Sequence, residues 1–273
     1  MPELPEVEQV KKTLGPHVVG QTIKSVEIRL PRLIQHPTAD VFAQKLTGAK
    51  IIGIERRGKY LRLNLAGNMY ILVHLRMTGA LLAWDKKAAE PPYAKVKFTL
   101  TGTHDMWFTD IRTFGTLYLI DKDDFNVEGY TTLGPEPNTP ELTVDYLYSI
   151  CRKKKAPIKN VILDQKIIAG LGNIYADESL FISGILPTRS ADTLSEAETR
   201  SLLEAINTAI SQGIRNHGTT FRNYQDGEGK QGSNQNHLWA YGRKGQVCKQ
   251  CGATMLGTKV GGRGTSYCPC CQK

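Results

Sequence analysis

Four cysteines near the C-terminus have the spacing of a metal site. They form two Cys-x2-Cys pairs, Cys248 with Cys251 and Cys268 with Cys271, which residues 252–267 separate. Two pairs at this spacing can place four thiolates tetrahedrally around one zinc ion, and the filled shell leaves no position for a reactive water. The array therefore predicts one structural Zn2+, and disulfides or free thiols are the alternative.

Three further features accompany this array. Cys270 lies between two of the four cysteines and could compete as a ligand, whereas Cys151 stands alone and is expected to be a buried, small apolar side chain. Between the pairs, Gly261-Gly-Arg-Gly-Thr265 suits a hairpin tip that presses Arg263 against a phosphate. An ordinary glycine turn with an exposed arginine would have the same sequence.

The first eight residues, Met1-Pro-Glu-Leu-Pro-Glu-Val-Glu8, allow a structural and a chemical interpretation. As structure they are a helix start, because proline and acidic residues suit the first turn of a helix. As chemistry, removal of Met1 would expose the secondary amine of Pro2, and part of such an amine is unprotonated at neutral pH. Attack of this amine on C1′ of a nucleotide displaces the base and gives an iminium, which acidifies the C2′ proton and leads to elimination of the 3′ phosphate. Glu3 suits proton transfer to the sugar, and Glu6 lies one helical turn further on.

The composition restricts the class of partner. Lys and Arg number 35 against 26 Asp and Glu, and the resulting formal net charge of +9 favours nucleic acid, although a merely basic protein is the alternative. No stretch reaches the roughly 18–20 uninterrupted apolar residues of a membrane span. The acidic, proline-containing start is unlike a signal peptide. We therefore expect a cytoplasmic protein with no membrane partner.

Periodicity divides the chain into a strand-rich part and a helix-rich part. Apolar residues recur at helical spacing up to Gly15-Pro16, where the leading helix is expected to end. From about residue 21 to 120 the pattern is that of strands, with a clean polar and apolar alternation over Leu61–Leu65. This region predicts an antiparallel β-sandwich or barrel with one helix at its start.

A proline-rich segment, Leu133–Pro137, marks the end of the strand pattern. Beyond it, Ser195 and Glu198 form a capping box ahead of an apolar helical face, so residues from about 141 to 217 are expected to be helical. The polar, glycine-rich stretch Arg222–Asn236 is expected to be a long mobile loop. We predict an α+β protein of three domains: a β-sandwich with a leading helix over 1–134, a helical domain with the mobile loop over 135–236, and a zinc finger over 237–273.

Three motifs together resemble the bacterial formamidopyrimidine-DNA glycosylase family. They are the Met1–Glu8 segment, Gly172-Asn-Ile-Tyr-Ala-Asp-Glu178 and the cysteine array, and the resemblance runs in the family's order from Met1 to Lys273. It implies a β-sandwich catalytic domain, a helix–two-turns–helix motif in a DNA-binding domain, and a zinc finger. It also implies an enzyme that removes oxidised purines, namely formamidopyrimidines and 8-oxoguanine, from duplex DNA and then cleaves the abasic site.

The resemblance implies catalytic roles for four residues. Pro2 matches the Schiff-base nucleophile, and Glu3 matches the acid of the glycosylase step, with Glu6 in support. Lys59, in Arg56-Arg-Gly-Lys-Tyr60, matches the proton donor of β-elimination, and Arg263 matches the donor associated with δ-elimination. Without the resemblance, Lys59 would be read as a solvated lysine on a strand.

Four implied DNA contacts lie in the strand-rich part. Met77, Arg112 and Phe114 match a trio that fills the space left when a base is flipped out of the duplex. For Met77 and Phe114 the alternative is the sandwich core. Tyr93 stands where the family has the first histidine of a His-x-His pair, and it is kept as a DNA-binding candidate. Thr113 replaces the Lys or Arg common in the family at that position.

Three implied DNA contacts lie in the helix-rich part. Lys155 and Lys159, in the basic run Arg152–Lys159, match phosphate-contacting positions, although a charge run is usually a solvated face. Asn173 follows a glycine-containing turn before a helix, where backbone N–H groups can bind phosphate. The resemblance places Asn173 in the helix–two-turns–helix motif as a DNA contact.

Two other functions stay open at this point. An endonuclease VIII-like enzyme would share the fold but prefer oxidised pyrimidines, and the intact start of the chain together with the Met77, Arg112 and Phe114 trio favours the purine enzyme. A non-catalytic zinc-ribbon protein that binds DNA would explain the charge and the cysteines, but it would leave Pro2, Glu3 and Lys59 without a role. The prediction is a monomeric enzyme whose partner is duplex DNA with an oxidised base or an abasic site.

Overall fold

The computed structural model describes residues 1–121 and 126–273, which form two compact units. The N-terminal unit consists of Met1–Thr131 with Asn216–Ser233, and the C-terminal unit consists of Thr132–Arg215 with Asn234–Lys273. Asn216–Ser233, which the sequence analysis counted with the helical domain, thus belongs to the N-terminal unit by its contacts. The three-domain division itself stays a prediction.

In the described residues, the N-terminal unit is built from two sheets and two α-helices. Helix α1 spans Leu4–Val18 and helix α2 spans Ala39–Leu46. The strands are β1 (Ile23–Ile28), β2 (Ile34–His36), β3 (Ile51–Arg57), β4 (Tyr60–Leu65), β5 (Met69–His74), β6 (Gly79–Asp85), β7 (Ala94–Leu100), β8 (His104–Asp110) and β9 (Thr116–Asp121). One sheet has the order β1-β7-β8-β6 and the other the order β2-β9-β5-β4-β3. The pairings of these strands are antiparallel except that of β2 with β9, so the predicted antiparallel sandwich with a leading helix is confirmed.

The core of this unit follows the apolar pattern of the sequence. In β4, Leu61, Leu63 and Leu65 are fully buried, and the polar residues between them are only partly buried. Val7 and Val10 of α1 belong to the same cluster of buried residues, because their helical spacing puts them on one face. Burial of that face holds the N-terminus of the chain against the sheets.

The prediction that Gly15-Pro16 ends the first helix is wrong. The helix continues to Val18, with Pro16 inside it, and the N–H of Val19 donates to the carbonyl of Gly15 at 3.0 Å. A proline removes one intrahelical hydrogen bond. Here that loss falls in the last turn, and Val18 is fully buried, so the apolar contact offsets the missing bond.

The C-terminal unit combines α-helices with one β-hairpin. These elements are α3 (Val144–Cys151), α4 (Ile158–Leu163), α5 (Asn173–Ile182), α6 (Glu196–Arg215), β10 (Leu256–Val260) and β11 (Arg263–Tyr267). The predicted capping box before α6 is confirmed, since Ser195 N–H donates to the Glu198 carboxylate at 2.8 Å and Glu198 N–H donates to the Ser195 hydroxyl at 3.2 Å. Of the helices in the described residues, none is long and apolar enough to cross a membrane.

Candidate active site

The start of α1 is fixed by buried carboxylates. Pro2 is buried, and Glu3 and Glu6 are 3% and 1% exposed. One carboxylate oxygen of Glu6 accepts from the Glu3 N–H at 2.8 Å, and the other accepts from the Thr219 N–H at 2.7 Å. Glu6 therefore ties the residue after Pro2 to the 216–233 segment of the same unit, and it restrains the position of the Glu3 backbone.

Lys59 lies in the tight turn between β3 and β4. Its side chain is 5% exposed, which excludes the solvated lysine considered from the sequence. The neighbouring Gly58 has a positive φ of 57°, which the two-residue turn requires. Arg56 donates to the Glu8 carboxylate at 2.9 Å and to the Gly58 carbonyl at 3.1 Å. Arg56 thus connects the helix that follows Pro2 with the turn that carries Lys59.

His74 is a residue of this region that the sequence reasoning missed. Burial, with the positive charges of Arg76 and Lys59 nearby, lowers the pKa of His74 to about 3. Its Nδ1 accepts from the Arg76 N–H at 2.9 Å, so the neutral ring carries its proton on Nε2. The Tyr60 ring meets it edge-on with the centroids 4.4 Å apart. Nothing in the local sequence distinguishes a buried neutral histidine from a solvated one.

The lowered pKa of His74 predicts that the folded protein loses stability in acid. The unfolded chain binds a proton on His74 below about pH 6.5, whereas the folded chain takes it up only near pH 3. As the pH is lowered between these values, the free energy of unfolding should fall by up to about 1.4 kcal/mol per pH unit through this one group. We expect His74→Gln to lack that contribution, as measured by denaturant unfolding of both proteins from pH 7 to pH 4. Loss of zinc at low pH affects both proteins and cancels in the difference, and parallel curves would contradict the prediction.

The three residues assigned to filling a gap in the duplex are on the surface of the N-terminal unit. Met77 is 42% exposed and Phe114 is 50% exposed, so the sandwich-core alternative for both is wrong. The guanidinium of Arg112 lies 4.8 Å from the centre of the Phe114 ring. Tyr93 is also on the surface, 57% exposed and with a positive φ of 59°. All four side chains can therefore be reached by a partner.

Asp110 holds two of the segments that carry these residues. It is 1% exposed, and its carboxylate accepts from the Thr78 hydroxyl at 2.5 Å, the Arg112 N–H at 3.1 Å and the Gly115 N–H at 2.8 Å. A side chain at Gly115 would collide with the Phe108 ring, so the loop closes tightly at that point. Asp110 has no predicted role from the sequence, although an aspartate that accepts from an N–H two residues on is a known turn signal.

Lys159 does not make the phosphate contact that the sequence predicted. It was assigned to a DNA phosphate, but its side chain is fully buried in the C-terminal unit. Its ammonium lies 2.5 Å from the Asp177 carboxylate and donates to the Thr265 hydroxyl at 2.7 Å and the Gly264 carbonyl at 3.3 Å. A DNA backbone cannot reach a group enclosed in this way. Lys155, by contrast, is exposed.

The predicted hairpin tip between β10 and β11 is confirmed. Gly261 and Gly262 both have positive φ, 55° and 76°, as a two-residue hairpin turn of this kind requires. Arg263 is the first residue of β11 and is exposed. Asn173 is the first residue of α5, and its side-chain amide donates to the Gly264 carbonyl at 3.1 Å. The structure thus brings Asn173 and the Arg263 strand together.

The four predicted ligand cysteines lie together. Their sulfur atoms are within 4.8 Å of one another, with Cys248 and Cys271 at 3.9 Å and Cys251 and Cys268 at 3.4 Å. Thiolates around tetrahedral zinc are about 3.8 Å apart, given Zn–S bonds of about 2.3 Å, so the cluster fits the ion. The finger carries one structural zinc.

The two remaining cysteines behave differently from the ligands. Cys270 is exposed and is not part of the cluster of four. Cys151 is buried, as predicted, and burial raises the pKa of its thiol to about 11. The thiolate is the nucleophilic form of cysteine, so Cys151 is unsuited to nucleophilic chemistry at neutral pH.

Cys248 and Cys270 form a matched pair for testing the metal site. Cys248→Ser removes a buried ligand, and we expect it to lose stoichiometric zinc and the fold of the finger, because metal binding and folding of such sites are linked. Cys270→Ser should keep one zinc per chain. Metal analysis by mass spectrometry measures the zinc content of both variants. A Cys270→Ser protein without zinc would mean that Cys270 is a ligand.

The buried Pro2 and Glu3 on a β-sandwich, a helical unit and a four-cysteine finger fit the class of zinc-finger DNA glycosylases. Sequence models match over most of the chain: formamidopyrimidine-DNA glycosylase N-terminal domain over residues 1–117, formamidopyrimidine-DNA glycosylase H2TH domain over 133–225, and zinc finger found in FPG and IleRS over 245–273. The chain belongs to the formamidopyrimidine-DNA glycosylase family.

Individual relatives agree with this assignment along the whole chain. The formamidopyrimidine-DNA glycosylase of Carboxydothermus hydrogenoformans is 43% identical over 273 residues and covers 100% of both chains. That of Moorella thermoacetica is 46% identical over 253 residues and covers 92% of each. Among solved structures, a point mutant of the Lactococcus lactis enzyme in complex with Fapy-dG-containing DNA superimposes with a TM-score of 0.93, at 35% identity and 100% coverage of both chains.

Proposed function

We propose that the protein is a bifunctional enzyme: a DNA glycosylase that excises formamidopyrimidine and 8-oxoguanine from duplex DNA, and an abasic-site lyase that then nicks the strand. The observation that carries the proposal is the start of α1, where the buried Glu3 follows Pro2 and is held by Glu6. Family membership supports it, and so do two structures of the Lactococcus lactis relative, one with Fapy-dG DNA and one with abasic-site DNA.

The proposed glycosylase step begins at the Pro2 nitrogen after removal of Met1. The nitrogen forms a bond to C1′ while the bond from C1′ to the base breaks, and the base leaves with the electron pair and the proton lost from the proline nitrogen. Glu3 donates a proton to the sugar ring oxygen, the C1′–O4′ bond opens, and the nitrogen and C1′ become an iminium. Glu6 takes no proton in this scheme and supports the geometry.

Two eliminations follow in the proposed lyase reaction. The iminium acidifies C2′, a C2′ proton passes to a water molecule, and the C3′–O bond breaks as the 3′ phosphate leaves with the electron pair. Lys59 donates a proton to that leaving oxygen. In δ-elimination a C4′ proton passes to a water molecule and the C5′–O bond breaks, and the cation of Arg263 stabilises the 5′ phosphate, which leaves with the electron pair.

Duplex DNA is the proposed partner, and four exposed side chains of the N-terminal unit are proposed to contact it in different ways. Met77 and Phe114 fill the space of the flipped nucleotide with apolar groups, and Arg112 offers hydrogen bonds to the orphaned base. Tyr93 contributes a further DNA contact. This assignment is supported by the exposure of all four, since core residues could not enter a duplex.

The proposed phosphate contacts are Lys155, Asn173 and Arg263. Lys159 is excluded because its side chain is fully buried. Lys155 and Arg263 are exposed cations, and neutralising a phosphate with a cation releases counterions. Lys155→Ala is therefore expected to flatten the plot of log affinity against log salt by about 0.9. Fluorescence anisotropy from low to high salt measures the slope, and an unchanged slope would remove Lys155 from the phosphate contacts.

Borohydride trapping tests the proposed activity against its rivals. A duplex with one 8-oxoguanine opposite cytosine should give a covalent complex after reduction of the iminium, and a duplex with one oxidised pyrimidine should give much less. The reverse preference would favour the endonuclease VIII-like alternative. Binding to both duplexes with neither base release nor trapping would favour a non-catalytic zinc-ribbon protein.

The setting of this activity is also proposed. We place the enzyme in the cytoplasm of a bacterium, associated with the nucleoid through DNA binding, and take it to act as a monomer. We also propose the division into a β-sandwich catalytic domain over 1–134, a helical DNA-binding domain over 135–236 and a zinc finger over 237–273. Light scattering of the purified protein with and without a lesion duplex tests the monomer, and a two-to-one complex would contradict it.

A further inference from the structure

A buried ion pair lies beneath the strand that carries Arg263. Lys159 of α4 is fully buried and Asp177 of α5 is 1% exposed, and their charged atoms are 2.5 Å apart. Both helices and the β10–β11 hairpin belong to the C-terminal unit. Enclosed charges of this kind need hydrogen bonds on their remaining donors and acceptors.

Those further hydrogen bonds run to three consecutive residues of β11. Lys159 donates to the Gly264 carbonyl and the Thr265 hydroxyl, at 3.3 and 2.7 Å. The second carboxylate oxygen of Asp177 accepts from the Ser266 N–H at 3.0 Å. The ion pair is therefore a clamp on the strand just after Arg263.

The clamp continues to Arg263 itself. The Thr265 hydroxyl, which accepts from Lys159, donates in turn to the Arg263 carbonyl at 3.1 Å. Asn173 adds a second donor to the Gly264 carbonyl at 3.1 Å. At the tip, Gly261 packs so closely on the Asn160 side chain of α4 that a Cβ there would collide with it. The backbone on both sides of Arg263 is thus held by α4 and α5.

Stability alone does not account for such a pair. Replacing a buried ion pair by apolar residues of similar size is often neutral or stabilising, because desolvation of the charges offsets their attraction. The charges instead make the packing specific, since their hydrogen bonds to β11 form in one register of that strand only. A hairpin held by its two strands alone would be free to shift on the helices beneath it.

We propose that Lys159 and Asp177 are positioning residues, which fix the register of β11 on α4 and α5 and thereby place the guanidinium of Arg263 for its action on phosphate. The inference deepens the proposed function and rests on the role of Arg263 there. Lys159 acts through Arg263 and does not touch DNA. Its loss should therefore affect δ-elimination far more than attack by Pro2.

Lys159→Met tests this, because the side chain keeps its length and loses its charge. We expect the variant to retain one zinc and to be trapped on abasic-site DNA at close to the wild-type rate. The ratio of δ- to β-elimination product should fall at least about tenfold, as expected when a cation is displaced from a developing phosphate charge. Lys259→Met is the matched control, since it removes an exposed lysine from the same hairpin and should leave the ratio unchanged.

A double-mutant cycle with Arg263→Ala separates positioning from other roles. If Lys159 acts through Arg263, Lys159→Met should change the product ratio no further once Arg263 is gone. A full further drop in the double variant would overturn the proposal, and so would a single variant with an unchanged ratio. If Lys159→Met loses zinc, the apolar pair Lys159→Met with Asp177→Leu restores the packing, and a wild-type ratio in that protein would also overturn it.

Hydrogen exchange distinguishes failure of this inference from failure of the proposed function. The Ser266 N–H should exchange faster in Lys159→Met and at the wild-type rate in Lys259→Met, whatever the protein does to DNA. If exchange changes as expected but the wild-type protein nicks no lesion duplex, the proposed function fails while the clamp stands. If the wild-type protein nicks DNA and Ser266 exchanges at the same rate in both variants, the clamp fails alone.

Discussion

Glu3→Gln is expected to lower release of 8-oxoguanine by roughly 10²–10⁴-fold, the usual contribution of a positioned general acid. The substitution keeps the shape of the side chain and removes the proton that the sugar ring needs for opening. Glu3 is 3% exposed, so a bulk water molecule cannot easily replace it as the donor. Single-turnover base release from a duplex with 8-oxoguanine opposite cytosine measures the effect.

A preformed abasic site supplies the internal control for this variant. There the sugar can present an open aldehyde, and Pro2 can form the iminium without the acid of the glycosylase step, so borohydride trapping should persist. Equal losses on both substrates would assign Glu3 to the structure of the helix start, where its N–H already donates to Glu6 at 2.8 Å. Base release at the wild-type rate would remove Glu3 from the mechanism altogether.

The features that the sequence predicted correctly depend on short-range patterns. The capping box at Ser195 and Glu198 involves residues three apart, and the turn at Gly261-Gly262 involves two. The four cysteines needed only their spacing, because a Cys-x2-Cys pair largely determines how its two thiolates face one ion. In these cases the local sequence determines the local geometry.

Lys159 shows why the rest could not be predicted. It ends a basic run, and such runs are usually solvated, yet its partners are Asp177 and Thr265, which follow it by 18 and 106 positions. Its burial is decided by tertiary contacts that leave no local signature. His74 was missed for the same reason, since its lowered pKa comes from burial and from charges on other residues.

The segment 216–233 gives a second example of the same limit. The polar, glycine-rich composition of residues 222–236 predicted a mobile loop, but the 216–233 segment, which contains most of that stretch, forms several hydrogen bonds with α1. Thr219 N–H donates to Glu6 at 2.7 Å and Gly227 N–H donates to the Thr13 hydroxyl at 2.7 Å. Glycine composition indicates where a backbone can turn or approach closely, and the partner it approaches is set by the fold.

The other large expected effect concerns the proposed nucleophile, the nitrogen of Pro2. A proline nitrogen in a peptide bond is conjugated with the carbonyl and has no lone pair for attack. Met1 is 41% exposed and precedes a small residue, so we expect it to be removed and the mature chain to begin at Pro2. The intact mass should be lower than that of the full sequence by one methionine.

A cleavable N-terminal extension gives a matched pair of proteins for this prediction. With the extension present, the chain should bind an abasic-site analogue but give no covalent complex with borohydride, because attack requires the free amine of Pro2. After cleavage that leaves Pro2 first, trapping should appear. Pro2→Gly should keep part of it, since a primary amine also forms a Schiff base. A protein that retains Met1 and still nicks lesion DNA at the full rate would contradict this mechanism, and the buried amine of Lys59 would then be the next candidate.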